Sequence, residues 1–315
     1  MKILVTGGAG YIGSVCVNSL IEKNHQVIVV DNLSKGKKEL VNKKAKFYQS
    51  DLTDKDSLKK IFSENKIDAI IHFASYKSVE ESMENAQKYS DNILGTINLL
   101  NSIVEFKVKK IIFSSSAAVY GAQKNEIVSE DSEKNPINFY GFTKLECEKI
   151  IEWYGKIHKI KYNLLRYFNV VGDVLGYDDP DAKNLFPIIL EVVNGKREKL
   201  LIFGKDYPTR DGTCVRDYID IRDLVRAHIL ALNTDYDGPI NLGTNKGYTT
   251  KEILDLFIKV YGKKINYDYA NRRKGDCASL IASNKLAKEI IQWSPTIKLE
   301  DTIQSVITKD KLKKT

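Results

Sequence analysis

Short apolar runs alternate with amphipathic stretches through the first half of the chain. The runs predict strands at residues 2–6, 26–31, 46–49, 68–73, 110–115 and 162–167. The stretches between them predict helices near residues 12–23, 56–64, 82–106 and 137–158. Val27-Ile28-Val29-Val30 and Ala69-Ile70-Ile71 are continuously apolar, as befits strands buried on both faces. Strand–helix alternation of this kind builds βαβ units, so an α/β chain with a parallel, doubly wound sheet is expected.

After about Phe168 the rhythm breaks. Gly, Pro and Asp cluster over residues 172–181, which reads as a loop. Beyond it the pattern predicts a helix near 185–194, a strand near 200–203 and a helix near 250–261. The reading is a Rossmann-type domain over residues 1–168, rejoined by segments near 215–243, and a smaller α/β substrate-binding domain over 169–315. No internal repeat or low-complexity tract interrupts it.

The first strand runs into Gly7-Gly8-Ala9-Gly10-Tyr11-Ile12-Gly13 and then a helix. Glycine at such a turn permits positive φ and lets the backbone approach a pyrophosphate, while the helix start offers N–H groups and partial positive charge. The second strand ends in Asp31, 18 residues after Gly13, with Asn32 following. A carboxylate there accepts hydrogen bonds from ribose hydroxyls and repels a 2′-phosphate, so the expected cofactor is NAD rather than NADP. Asp51-Leu52 and Phe73-Ala74 end the third and fourth strands beside the same cleft, although each pair also reads as a plain strand-end turn.

Tyr140 and Lys144 stand four apart on a predicted helix and so share a face. A phenol is a poor base near neutrality, and a neighbouring ammonium together with a positive nicotinamide ring is expected to lower its pKa. Ser116 closes the strand before this helix and reads as a third member that steadies the proton. Ser114 and Ser115 read as satisfying local backbone groups. His25, His72, His158 and His228 are scattered, and His72 reads as a satisfied core histidine.

Composition narrows the picture. Hydrophobic residues make up 43% of the 315, ample for a large core. Met1-Lys2 runs straight into the first strand, which does not read as a signal peptide. No apolar run approaches the ~20 residues that cross a bilayer, so no membrane partner is expected. Cys16, Cys147, Cys214 and Cys277 lie far apart without a CxxC pair, which argues against disulfides or a metal site and fits a reducing cytoplasm. The net charge of +8 comes from lysines spread along the chain. That pattern reads as a solvated surface rather than a nucleic-acid footprint, and the basic run 309–314 as a frayed helix end.

Further motifs occur in a telling order: FSSSAAVYG at 113–121, YGFTK at 140–144, LRYFN at 165–169, FGKDYPTRDGTCVRDYI at 203–219, NLG at 241–243 and RRKGD at 272–276. With the glycine-rich turn, they make the chain resemble the UDP-glucose 4-epimerases of the extended short-chain dehydrogenase/reductase family over essentially its whole length.

That resemblance implies a mechanism. Tyr140 takes the proton from the sugar O4 while the C4 hydride passes to tightly held NAD. The 4-keto sugar turns about its link to the pyrophosphate, and hydride and proton return to the other face, interconverting UDP-glucose and UDP-galactose. The resemblance puts Phe203 near the uracil and Asn184, Leu185, Arg216, Arg273 and Asp276 around the UDP ribose and phosphates, with Tyr218 also on the substrate side. It puts Lys77, Asn92, Tyr167 and Asn169 among cofactor and substrate contacts, and Ser114 with the cofactor. Members commonly dimerise by pairing the helices predicted at 82–106 and 137–158, so a homodimer is implied.

The chain departs from the pattern in three places. Val170 replaces a common Pro, the loop 172–183 is shorter, and Leu280 stands where many members carry a bulky Tyr. Leu280 leaves room beside the sugar C2 substituent, so UDP-GlcNAc and UDP-GalNAc are further candidate substrates. Rival readings are a nucleotide-sugar 4,6-dehydratase or decarboxylase, and a non-catalytic NAD(H)-binding protein. Ala117 and Ala118 stand where dehydratases carry an Asp-Glu pair, and neither can carry a proton.

Overall fold

The computed structural model describes residues 1–177, 184–273 and 276–312. The loop expected to continue over 178–183, and the last residues of the basic C-terminal run, lie outside the described residues. The first half contains β1 Lys2–Thr6, α1 Tyr11–Glu22, β2 Gln26–Asp31, β3 Lys46–Gln49, α2 Lys55–Ser63, β4 Ala69–His72, α3 Val79–Glu84, α4 Ala86–Glu105, β5 Lys110–Ser116, β6 Ile127–Val128, α5 Phe139–His158 and β7 Lys161–Tyr167. The second half contains β8 Asn169–Val171, α6 Leu185–Val193, β9 Leu200–Phe203, β10 Val215–Asp220, α7 Ile221–Ala231, β11 Gly238–Leu242, β12 Gly247–Thr249, α8 Thr250–Tyr261, β13 Tyr267–Ala270, β14 Ser279–Ala282, α9 Lys285–Ile291 and α10 Leu299–Leu312.

Local chemistry sets the helix starts. The Asp54 carboxylate accepts from the N–H of Asp56 and Ser57 at the head of α2, and Asn138 accepts from Gly141 N–H at 2.8 Å at the head of α5. The single helix expected over 82–106 is two. Asn85 leaves helical geometry and its side chain caps α4 by accepting from Lys88 N–H at 3.1 Å, while Ser78 caps α3. An Asn at that point competes for the backbone as a cap.

Seven strands form one parallel sheet in the order β11-β7-β5-β4-β1-β2-β3. Alternate residues of each strand feed opposite faces. Ile3, Val5, Val29 and Ile71 pack with α1 and α7, whereas Leu4, Ile28, Ile70 and Ile111 pack with α2, α4 and α5. The chain leaves β1 toward β2 on one side and returns to β4 on the other, so the strand order reverses between β1 and β4. A crevice opens at the C-terminal ends of strands at such a point.

The second half forms a sheet β12-β10-β14-β6 with β8 beside β10, a small β13-β9 pair, and a core of α6, α8 and α10 residues. The sequence pattern left β10, α7, β11 and β14 unassigned as elements. Among the described residues no helix is long and apolar enough to cross a membrane.

Candidate active site

The turn from β1 into α1 is built around bare backbone. Gly7 has φ +69°, and a Cβ added there would lie 2.6 Å from Ala74 N; one on Gly13 would strike Gly7 O. Helix α1 has no acidic residue in its first turn, so the partial positive charge of its start is left uncancelled. Gly7, Gly10, Tyr11, Ile12 and Gly13 line an open cleft at this turn.

Asp31 is 7% exposed at the end of β2. One carboxylate oxygen accepts from Ala9 N–H and the other from Leu33 N–H, each at 2.9 Å. Burial pushes its pKa up, and those two N–H groups oppose the rise. Asp51 ends β3's turn and accepts from Asn32 at 2.7 Å and from Thr53 N–H at 2.8 Å. Burial raises Asp51, but these bonds outweigh it and hold the carboxyl below its ordinary value. Asp31, Asn32, Asp51 and Leu52 line one end of the cleft.

Tyr140, in the first turn of α5, and Lys144, one turn on, line the same cleft. The Lys144 ammonium donates to Ser114 O at 2.7 Å and lies 5.9 Å from the Tyr140 ring centre. Burial lowers Lys144 to about 8, opposed by Cys147 and Glu148. Burial raises Tyr140, and the Ser116 hydroxyl opposes the rise.

The strands beneath are pinned by a buried ion pair. Arg166 on β7 donates to both Glu148 oxygens, at 2.9 and 2.7 Å. Ser115 donates to the same carboxylate, so it serves a side chain rather than the local backbone expected of it. His72 is a satisfied core histidine: its ring nitrogens meet Thr6 Oγ1 at 2.7 Å and Thr96 Oγ1 at 3.1 Å, and burial lowers it to about 3. His228 is a residue the sequence reading passed over. Its Nδ1 meets Leu224 O at 2.9 Å and its Nε2 meets the hydroxyl of Tyr167, which lines the cleft. Burial lowers His228 to about 4, so it stays neutral and accepts from Tyr167.

Phe73, Ala74, Lys77, Asn92, Ser114 and Tyr167 complete the expected cofactor-side group, and all of them line the cleft. Its lining also includes Ser34, Lys35, Gly36, Asp91, Gly95 and Tyr177, which sequence reasoning did not pick. Lys35 and Gly36 follow directly on the Asp31-Asn32 signal. Tyr177 carried no local signal, because its position depends on a chain reversal after β8.

Ser116, Asn169, Asn184, Leu185, Phe203, Arg216, Tyr218, Arg273, Asp276 and Leu280 do not line this cleft. Several gather on neighbouring strands. Asn169 pairs in register with Tyr218, and Arg216 with Leu280. Arg216 donates to Val215 O and Cys277 O and lies 3.3 Å from the Asp276 carboxylate. The Arg273 guanidinium sits 4.0 Å over the Phe203 ring. Asn184 and Leu185 begin α6. Leu280 packs beside Ala117, Val119 and Tyr120, the turn that follows Ser116, which joins this group to the catalytic strand. Among the described residues no group of three or more His, Cys, Asp or Glu side chains could hold a metal ion.

A dinucleotide suits this cleft: the turn is bare backbone, the helix start is positive, and a buried carboxylate is hydrogen-bonded to the turn at Ala9. The model of the NAD dependent epimerase/dehydratase family matches residues 3–243. The UDP-glucose 4-epimerase of Streptococcus mutans serotype c is 46% identical, over 98% of this chain and 95% of that protein. The crystal structure of UDP-glucose-4-epimerase from Stenotrophomonas maltophila with bound NAD and formylated UDP-arabinopyranose superposes with a TM-score of 0.95 at 34% identity, covering 100% of this chain and 99% of that one. That of the Thermotoga maritima UDP-glucose 4-epimerase with UDP-glucose gives 0.92 at 35% identity, covering 100% of both chains.

Proposed function

The chain belongs to the NAD dependent epimerase/dehydratase family, and on that premise we propose that it interconverts UDP-glucose and UDP-galactose. The observation that supports this most is that Tyr140 and Lys144 line one cleft with Asp31 and the glycine turn. A proton-transfer pair thereby shares a chamber with a dinucleotide cradle.

The cofactor is held by the backbone of Gly7, Gly10, Tyr11, Ile12 and Gly13, by Asp31 and Asn32 toward the ribose, and by Asp51, Leu52, Phe73, Ala74, Lys77, Asn92, Ser114 and Tyr167 along the walls. Bound NAD supplies hydride acceptance from the sugar C4 and its return to the opposite face. Tyr140 takes the O4 proton and gives it back, with Ser116 steadying it. Lys144, fixed on Ser114 O, adds positive charge beside the phenolate as it forms. Arg216 and Arg273 hold the pyrophosphate, since guanidinium forks match phosphate oxygens. Phe203 packs near the uracil, and Asn184, Leu185, Tyr218 and Asp276 border the UDP. Asn169 contacts the sugar side. The sugar itself is gripped loosely enough to turn over as a ketone.

The dehydratase alternative lacks its acid–base pair, because Ala117 and Ala118 form the turn after Ser116. Leu280, beside Arg216, leaves space that extends the substrate range to UDP-GlcNAc and UDP-GalNAc. The chain works as a cytoplasmic homodimer. Helices α4 and α5 pack side by side and leave Leu94, Phe142, Trp153 and Ile157 exposed, an apolar strip suited to a second copy. Residues 1–168, with the returning segments near 215–243, carry the cofactor, and residues 169–315 mainly carry the UDP-sugar.

Proton NMR of the purified protein with UDP-galactose tests the activity. The anomeric signal of UDP-glucose grows in without added nucleotide. An unchanged spectrum, even after NAD is supplied, overturns the reading.

A further inference from the structure

Tyr177 lines the cleft where the glycine turn and the loop after β2 meet, Lys37 N–H donating to Ala9 O at 2.9 Å. Gly10 and Tyr11 line the cleft on the α1 side, and Lys35 and Gly36 line it on the side that follows β2. The Tyr177 ring packs on the Tyr11 ring at 5.7 Å between centres, and its hydroxyl donates to Lys35 O at 2.9 Å. The Lys37 ammonium lies 5.5 Å from the same ring. Tyr177 itself lines the cleft and is half-buried.

The segment that delivers Tyr177 is anchored at its base. The Tyr11 hydroxyl donates to Gly172 O, and Gly172 lies against Asp220 and Thr302. The Asp173 carboxylate accepts from Gly176 N–H at 2.6 Å, and Gly176 turns with φ +74°. Tyr11 is therefore held twice by one segment, through its hydroxyl at Gly172 and through its ring at Tyr177. The loop after β2 is tied to the same segment by the Lys35 bond. Three stretches distant in sequence thus close a ring around one side of the cleft.

We propose that Tyr177 is a cofactor clasp, which keeps NAD in the cleft between turnovers by fastening the 172–177 segment to the glycine turn and to the loop after β2. The inference rests on the NAD-dependent reading of the cleft. An epimerase consumes no net cofactor, so slow release is useful to it, and tying the Tyr177 segment to two stretches that line the cleft raises the barrier to release without touching the reacting atoms.

The test reads the nucleotide and not turnover. Full-length protein and its Tyr177→Ala and Tyr177→Phe variants are loaded with NAD and freed of excess. Release is then followed after dilution, with thermal melts as a check on folding. Loss of the ring contacts and the Lys35 bond speeds release by roughly tenfold in Tyr177→Ala. Tyr177→Phe, which keeps the ring and loses only the hydroxyl bond, falls between. Equal release rates in all three folded proteins overturn the clasp, even if the enzyme epimerises normally. Faster release from a protein that turns over no UDP-sugar supports the clasp and sinks the proposed activity alone. Failure of the parent protein to retain NAD at all overturns the clasp and leaves the activity to be decided by the NMR experiment with NAD supplied.

Discussion

Asp31 and Arg216 are the charged side chains on which the two sides of the site turn, and their surroundings differ. Asp31 is 7% exposed and takes both its bonds from backbone N–H groups, at Ala9 and Leu33. Arg216 is half-buried; it donates to Val215 O and Cys277 O and lies 3.3 Å from the carboxylate of Asp276, whose side chain is about one-third exposed. Nearby, Arg273 rests on Phe203 with its guanidinium at 4.0 Å. Backbone donors cannot move without the fold, whereas an exposed carboxylate or ring yields its place to a phosphate or a base at small cost. The difference suits a cleft that keeps one ligand and a surface that releases another.

The largest expected effect breaks the chemistry and leaves the comparison standing. Tyr140→Phe removes the proton acceptor and lowers kcat by roughly 10³-fold or more. Its NAD content, measured on the purified protein, stays that of the parent, because the cleft's polar contacts are made elsewhere. A variant that keeps a tenth of the parent's kcat would remove Tyr140 from its role.

A second experiment attacks the fixed side itself. Arg166 and Glu148 are 3% and 2% exposed at their side chains, and they join β7 to α5 beneath the catalytic pair. Arg166→Met leaves a buried carboxylate unpaired and costs about 3–5 kcal/mol of stability. The double variant Glu148→Leu/Arg166→Met recovers part of that loss, since the Glu148 carboxylate no longer stands unpaired while Ser115 and Glu130 still lose a partner. Denaturant unfolding of the two variants decides: equal losses would mean that the pair's charge is not what matters. The matching substrate-side pair, Arg216 and Asp276, is not under this constraint.

The same contrast explains what could be read from the chain. Strands β1 and β2 were legible to the residue because continuous apolar runs are buried on both faces; β3 and β9 also match to the residue, although each leaves residues exposed. Every expected cofactor-side residue lines the cleft; most sit at strand ends or the start of α1, where local pattern fixes position, whereas Asn92 lies within α4 and Lys77 in the loop before α3. Strand β10 was missed, since Asp217 and Asp220 are buried within it and erase the alternation. Asp217 is satisfied by Thr244, Asn245 and Ala282, partners that no local pattern announces. His228 meets Tyr167 across 61 residues, and Tyr177 meets Lys35 across 142. Such pairs exist only once the sheet has brought α7 and the segment after β8 onto the first half.

The smallest effect sharpens the comparison on the substrate side. Leu280 sits in register with Arg216 and packs beside the turn that follows Ser116, yet it is only half-buried. A ring at that position fills the space proposed for a C2 acetamido group and touches nothing on the cofactor side. Leu280→Tyr should therefore lower kcat/KM for UDP-GalNAc by roughly tenfold relative to UDP-galactose, which is the scale on which a pocket rejects a few extra atoms. Retained NAD and the melting temperature stay unchanged, because the strand pairing runs through the backbone. Equal losses on both sugars would place Leu280 in general packing. A loss of NAD would show that the two sides are coupled more tightly than their bonding implies.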